Sequence, residues 1–541
     1  KAQVKRAFDA TKKPFAEPAY GGLERALDGY AHDWTAAVTE SCKATQSDQV
    51  RALREACLEQ RLEELRALVA ILANADPKIV EQGDKIAFGL EPVAHCANTE
   101  VLLAPGLPPP ELRDQAVALE KKLAAAKASM LAGQYLPALV TAKGIVDDAT
   151  KLGFQPLVAE ALAIRGTSLL LNQNVPEAEQ AFADATYAAI RGKRDDIAAE
   201  AGLAAAMAIA EQGGRPDLAK IWLGHAVASG DRVGYTRSIQ RRLLEVEGLI
   251  AADSGDFNAG IAAHEKALAA AVNELGTESP ELINDEILLA TTLSKAGAWG
   301  RAVPHYEHAL ALREQSVGKD HPDIATLESD LGAAFTHAGD YHKAHEAFAR
   351  ALAIREATYG KNSPMLMATL DNFGELLRRE GDYPGALAAQ QRAMAMVKLV
   401  LGDQHSAYFQ VVTDTCDTLI AAGKLADAHA LFDQILAAEA KTASSVLPAT
   451  QASRAELALA DKAWADARTF AEQSVAGYEA AGGKDNPALW RPLTALGRAE
   501  LALARKDAAR AALERALAIA EKAQIPAADL AATHDALAQL K

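Results

Sequence analysis

Much that would announce chemistry is missing from these 541 residues, and each absence narrows the reading. No Gly-rich phosphate loop, HRD or DFG step, HExxH, GxSxG or CxxC occurs, so the chain itself carries none of the common transferase, hydrolase, zinc-protease or redox signatures. Positive charge is in deficit. The net charge of −16 and pI near 5.4 argue against a nucleic-acid binder, which needs clustered Lys and Arg to displace counterions from phosphate. No apolar run approaches the roughly 18 residues a membrane span requires. The opening residues KAQVKRAFDA are neither a signal peptide nor an initiating Met, so the chain is expected to be a piece, or a processed form, of something longer. Aromatic residues are only 5%, while Ala and Leu dominate; both are strong helix formers, and an all-helical protein is the expectation. At this length one compact core is excluded in favour of several domains or an open array.

What is present is a period. Gly255, Gly297, Gly339, Gly381 and Gly423 follow one another at intervals of 42, each followed two positions later by Phe257, Trp299, Tyr341, Tyr383 or Leu425. A second track runs through Gly276, Gly318, Gly360 and Gly402, with Pro280, Pro322 and Pro364 four residues on and Ser406 in the last copy. Two breaks per period separate two apolar-periodic segments, which is a helix–turn–helix unit. The second helix carries a small–large–small ridge, Ala344, Phe348, Ala351, repeated as Ala302, Tyr306, Ala309 and as Ala428, Phe432, Ile435. The first helix carries a small residue seven positions before the turn glycine: Ala290, Gly332, Gly374, Cys416. Both patterns predict close helix packing.

This pattern resembles the tetratricopeptide repeat, in the 42-residue form of the kinesin light chain, with VGKDHP at 317–322 as a characteristic loop. Weaker copies at 132–139, 172–178, 213–219, 461–467 and 505–511 bring the total to about ten over residues 111–541. The resemblance implies an all-α fold, a right-handed α-solenoid of about ten helical hairpins. Residues 1–104 lie outside the period. Leu23, Leu27, Tyr30, Trp34 and Val38 form one helical stripe and Leu58, Leu62, Leu65, Val69 and Leu72 another, predicting an N-terminal helical cap. The Pro-rich stretch 105–110 divides cap from array.

Within the cap, WTAAVTESCKAT at 34–45, ALREACLEQRLEELRALV at 52–69 and HCA at 95–97 resemble the segment between membrane span and repeats in bacterial membrane-anchored Ser/Thr protein kinases. QSDQV stands where that family has a longer polar loop with an Arg-Gly-Glu step. The resemblance implies a sensor or scaffold region on the extracytoplasmic, periplasmic face of an inner membrane, with the kinase domain elsewhere in a longer chain. A free-standing cytoplasmic adaptor is the alternative; a third is a receptor holding a peptide or small ligand inside the solenoid, as some bacterial quorum-sensing regulators do.

Candidate site residues come from the first helices of the repeats. Ser329–Asp330, Asp371–Asn372 and Thr413–Asp414 are in register, with Glu375 and Asp417 one position past the small residue; Lys295, His337, Arg378 and Arg379 form a basic end. The repeat resemblance implies a concave wall there, gripping an extended protein or peptide ligand of basic or mixed charge, its acidic side chains facing solvent. The upstream kinase domain is a further candidate partner; no nucleic-acid partner, cofactor or metal is expected. His342 and His345 lie three apart but have no third ligand in view, which favours a solvated face. Cys416 fills a small packing position. Of Cys42, Cys57 and Cys96, the first two face each other across a hairpin turning near 46–48 and are the first candidate disulfide, free buried thiols being the alternative.

Overall fold

The computed structural model describes residues 1–44, 46–102, 108–172, 174–212, 215–233, 237–442, 444, 446–523, 525–527 and 529–540. All regular structure among them is helical. The cap comprises α1 (Ala2–Ala10), α2 (Ala16–Lys43), α3 (Asp48–Leu72), α4 (Pro77–Phe88) and α5 (Thr99–Leu102). Paired helices follow: α6 (Arg113–Leu131) with α7 (Tyr135–Leu152), α8 (Gln155–Leu171) with α9 (Val175–Arg191), α10 (Asp195–Gln212) with α11 (Pro216–Val233), and α12 (Arg237–Asp253) with α13 (Phe257–Leu275). Then come α14 (Ile283–Lys295) with α15 (Trp299–Val317), α16 (Pro322–Ala338) with α17 (Tyr341–Tyr359), and α18 (Met367–Glu380) with α19 (Tyr383–Val400). The last pairs are α20 (Ser406–Ala421) with α21 (Leu425–Thr442), α22 (Leu447–Ala460) with α23 (Trp464–Gly482), and α24 (Trp490–Ala502) with α25 (Lys506–Lys522); α26 (Ala531–Ala538) closes the chain. The helical-hairpin α-solenoid expected from the period is thus the fold.

The repeated residues are buried where the hairpins need them. Turn glycines take the left-handed conformation, Gly339 at φ 86° and Gly381 at φ 87°, which a side chain would oppose. The next residue caps the second helix: Asp340 accepts from Lys343 N at 3.2 Å and Asp382 from Gly385 N at 3.1 Å. In the weaker copies Lys462 and Ala504 occupy the same turn position at φ 62°, so the geometry outlasts the glycine. Replacing either with glycine should raise stability by about 0.5–1 kcal/mol, the left-handed penalty minus glycine's larger unfolded-state entropy; urea titration measures it, and a loss would overturn it.

The small residue of the first helix receives the large residue of the second. A methyl group added at Gly332 would lie 2.7 Å from the Phe348 ring, and at Gly374 2.6 Å from Gln390. The same fit appears upstream at Gly248 with His264, seven positions before Gly255, and at Gly166 with Phe182, a copy the turn glycines did not mark.

Two compact units emerge. The first is Lys1–Asp253, Ala262–Asp285 and Leu312–His321; the second is Ser254–Ile261, Glu286–Ala311 and Pro322–Lys541. The expected boundary at 105–110 is not where they divide: Leu23, Leu68, Leu72 and Ile86 of the cap share one core with Ala128 and Ala132 at the end of α6. Residues 105–107 of that stretch, and Gly213–Gly214 of the weak copy at 213–219, lie outside the described residues. Within the first unit the cap also meets the loop at 318–321, where the Phe15 ring sits edge-on to His321 at 4.8 Å.

The cysteine pairing corrects the sequence expectation. Cys57 is bonded to Cys96, with Cα atoms 5.6 Å apart, and Cys42 is an exposed free thiol. The reason is a segment the hairpin argument left out. A 3-10 turn, Val93–Ala97, lies against α2 and α3, held by Tyr30 OH donating to Glu91 O at 3.1 Å and Arg54 Nε to Cys96 O at 3.2 Å. It packs with Leu58 and Trp34, bringing Cys96 to Cys57. Denaturing, non-reducing thiol titration of protein made in an oxidising compartment should find two free thiols, Cys42 and Cys416, and four after reduction; protection of Cys42 would refute the pairing.

Candidate functional site

The second unit gathers the expected groove residues from α16, α18 and α20, but few of them as free solvent-facing charges. Ser329 is buried and accepts a hydrogen bond from Thr369 Oγ1 at 3.2 Å. Asp330 is half-buried, and desolvation pushes its carboxyl up to about 6 although Arg355 pulls it down. Asp417 is buried and receives Arg491 Nη2, from α24, at 2.8 Å.

The expected basic end does not exist as a separate zone. Arg378 donates through Nε and Nη2 to Glu375 at 2.7 and 2.6 Å, and Arg379 Nε reaches the same carboxylate at 2.7 Å. Burial raises Glu375, but the two guanidiniums outweigh it and hold the carboxyl at about 2. Arg379 also grips both oxygens of Asp529, each at 3.0 Å. His337 stacks on Trp299 with ring centroids 4.3 Å apart, and burial, reinforced by Arg379, lowers it to about 4. Lys295 alone of that set is exposed. The physical reason is reach: an Arg side chain spans one turn of its own helix and the gap to the next, so neighbouring rungs of opposite sign neutralise each other.

One part of the wall is left over. Asp371 and Asp414, from α18 and α20, lie close enough for each to act on the other's carboxyl, and two like charges at that range favour one of the two keeping a proton. Burial, and then the charge of Glu375, pushes Asp371 up to about 7; burial and Asp371 raise Asp414 well above the carboxylate range. Gln410 Nε2 donates to Asp414 Oδ2 at 2.8 Å, while Asp371 Oδ1 is out of contact with solvent and has no hydrogen-bond partner among the described residues. Beside it the half-buried Asn372 makes no side-chain hydrogen bond among the described residues.

A second polar interior, in the first unit, was not foreseen. Lys127 of α6 lies 3.4 Å from both Glu64 of α3 and Glu91. Glu160 of α8 and Glu200 of α10 are raised by burial, the first despite Arg194. The signal was in the sequence: Glu160, Glu200 and Arg242 stand six positions before Gly166, Ala206 and Gly248, a rung that the copies ending in Gly297, Gly339, Gly381 and Gly423 leave uncharged. Among the described residues no group of three His, Cys, Asp or Glu could hold a metal ion, and no helix is long and apolar enough to cross a membrane.

The crystal structure of a Podosopora anserina putative kinesin light chain with nearly identical TPR-like repeats is 20% identical, covering 38% of this chain and 98% of that one at a TM-score of 0.33. A Rap protein complexed with competence and sporulation factor is 16% identical over 68% of this chain and 98% of its own, with a TM-score of 0.47. The apo form of the quorum sensor NprR from B. thuringiensis is 15% identical over 66% and 98%, with a TM-score of 0.44. No curated protein matches. One tetratricopeptide-repeat family model matches residues 242–315, 286–357 and 447–522 and another matches 366–407, so these stretches of the chain are tetratricopeptide repeats.

Proposed function

We propose that the chain is a non-enzymatic module that binds a protein or peptide segment along the α16–α18–α20 wall of its second unit. The observation that carries this reading is Asn372: an amide with two donors and an acceptor, half-buried and unpartnered, in a wall where most neighbouring polar groups are satisfied. An extended backbone supplies the complementary carbonyl and N–H groups, and the flanking charges give a preference for mixed-charge segments. Selection from a phage-displayed library of random dodecapeptides should enrich sequences whose affinity falls about tenfold on Asn372→Ala, with the far-ultraviolet circular dichroism spectrum unchanged. Affinity should also fall as salt rises. Enriched peptides indifferent to Asn372→Ala would place the working surface elsewhere.

The broader role we propose is the sensor or scaffold region of a membrane-anchored bacterial Ser/Thr kinase, on the periplasmic side. Supporting it are the cap segments at 34–45, 52–69 and 95–97 and the Cys57–Cys96 bridge, a bond that persists in oxidising compartments. The natural reading frame upstream of Lys1 tests it: an apolar run of about 20 residues preceded by HRD and DFG signatures is expected, and a frame lacking them would leave the adaptor reading.

A further inference from the structure

In the Asp371–Asp414 stretch of the wall the charges do not balance. Glu375 has Arg378 and Arg379, Asp417 has Arg491, and Asp529 has Arg379. Asp330 has the field of Arg355. Among the described residues, the charges that act on Asp371 and Asp414 come from further acids, Glu375 of α18 and Asp417 of α20, with Gln410 donating to Asp414 and the Cys416 thiol beside it. The Tyr478 phenol of α23 lies within the field of Asp414, and Arg491 of α24 is committed to Asp417. Two carboxyls with no cation beside them among the described residues, one with a buried oxygen that has no hydrogen-bond partner there, form a site completed by a positive group from outside.

Resting on the groove reading above, we propose that Asp371 and Asp414 form a subsite for one cationic nitrogen group of the bound segment, a guanidinium or a primary ammonium. In the empty site the pair keeps a proton. The incoming cation takes the place of that proton, which leaves to solvent, so that both carboxylates accept from the ligand. The geometry sets the stoichiometry at one: flanking carboxylates are already occupied by Arg side chains of the chain, so a second cation meets guanidiniums. The segment is therefore read for a single Arg or Lys at a fixed register, with Asn372 holding the adjacent backbone.

The experiment uses the full chain and three synthetic probes: acetyl-(Ala)3-X-(Ala)3-amide with X as arginine, lysine or citrulline, titrated calorimetrically at pH 5.5 and 8. Citrulline keeps the shape of arginine without its charge. At pH 8 the arginine or the lysine probe should bind at least tenfold tighter than the citrulline probe, and which of the two leads identifies the nitrogen group recognised. That preference should shrink severalfold at pH 5.5, where the pair holds its proton, and binding near neutral pH should release up to one proton, read from the dependence of the heat on buffer ionisation enthalpy. Asp371→Asn with Asp414→Asn, isosteric with the wild type, should abolish the preference, while Glu346→Gln on the exposed face of α17 should leave it intact; thermal unfolding of each variant checks folding. If all three probes bind alike at pH 8, or the preference survives the double variant, the subsite is overturned and the groove reading stands. If none of the three binds, both fall.

Discussion

Phe348→Ala should cost about 3–5 kcal/mol of unfolding free energy, the largest single effect expected for a side chain of the α16–α17 hairpin. Phe348 is wholly buried, and its ring fills the space over Gly332. Truncation loses the transfer energy of the ring and leaves a void that the helices cannot close, because Ala344 and Ala351 already hold them in contact. The converse substitution, Gly332→Ala, should cost about 1–3 kcal/mol by overpacking. In the Phe348→Ala background that penalty should vanish or reverse, because the methyl group then enters the void. Urea titrations of the four proteins test this; strictly additive losses would show that the two positions do not share a packing site. Each hairpin buries its apolar face largely against its neighbours, so hydrogen exchange should locate the damage in α16, α17 and the adjoining hairpins first.

Glu375→Gln should lower stability at pH 7 by about 2–4 kcal/mol, because it leaves Arg378 and Arg379 converging on a neutral amide in a partly desolvated wall. Its pH dependence identifies the cause. Glu375 titrates at about 2 in the folded protein against 4.5 unfolded, so the carboxylate contributes stability that is complete above about pH 5 and is lost as pH falls toward 2. The gap between wild type and Glu375→Gln should close over that interval. Asp371 contributes with the opposite sign: raised from 3.8 to about 7, it favours the folded state most at low pH, and that contribution is lost as pH rises through neutrality. Asp371→Asn should flatten the alkaline limb and leave the acid limb in place. Were the Glu375→Gln deficit constant from pH 7 to pH 2.5, packing rather than charge would account for it.

The local rules of this protein were legible in its residues. A 42-residue spacing of Gly255, Gly297, Gly339, Gly381 and Gly423 places the turns, since a left-handed turn is a single-residue requirement that needs no knowledge of the rest of the chain. The small and large positions follow, because helix periodicity brings Gly332 under Phe348 in any hairpin of this length. Lys462 and Ala504 are 42 apart but out of step with Gly423, and they still take the same left-handed turn.

What tertiary structure alone decided was partnership across long separations. Asp371 and Asp414 read as two solvent-facing acids from separate helices; only stacking α18 on α20 makes each act on the other's carboxyl, since desolvation and like-charge proximity are properties of the assembled wall. Arg378 and Arg379 read as a basic end until their own helix folds them back on Glu375 and the chain returns Asp529, 150 residues later, to Arg379. Cys57 had two possible partners, and the choice of Cys96 over Cys42 depended on where the 3-10 turn at 93–97 packs. Spacing determines what lies on one face of a helix. Which charge meets which depends on the approach of elements far apart in the chain, and the free energy of each pairing is set by the water that approach removes.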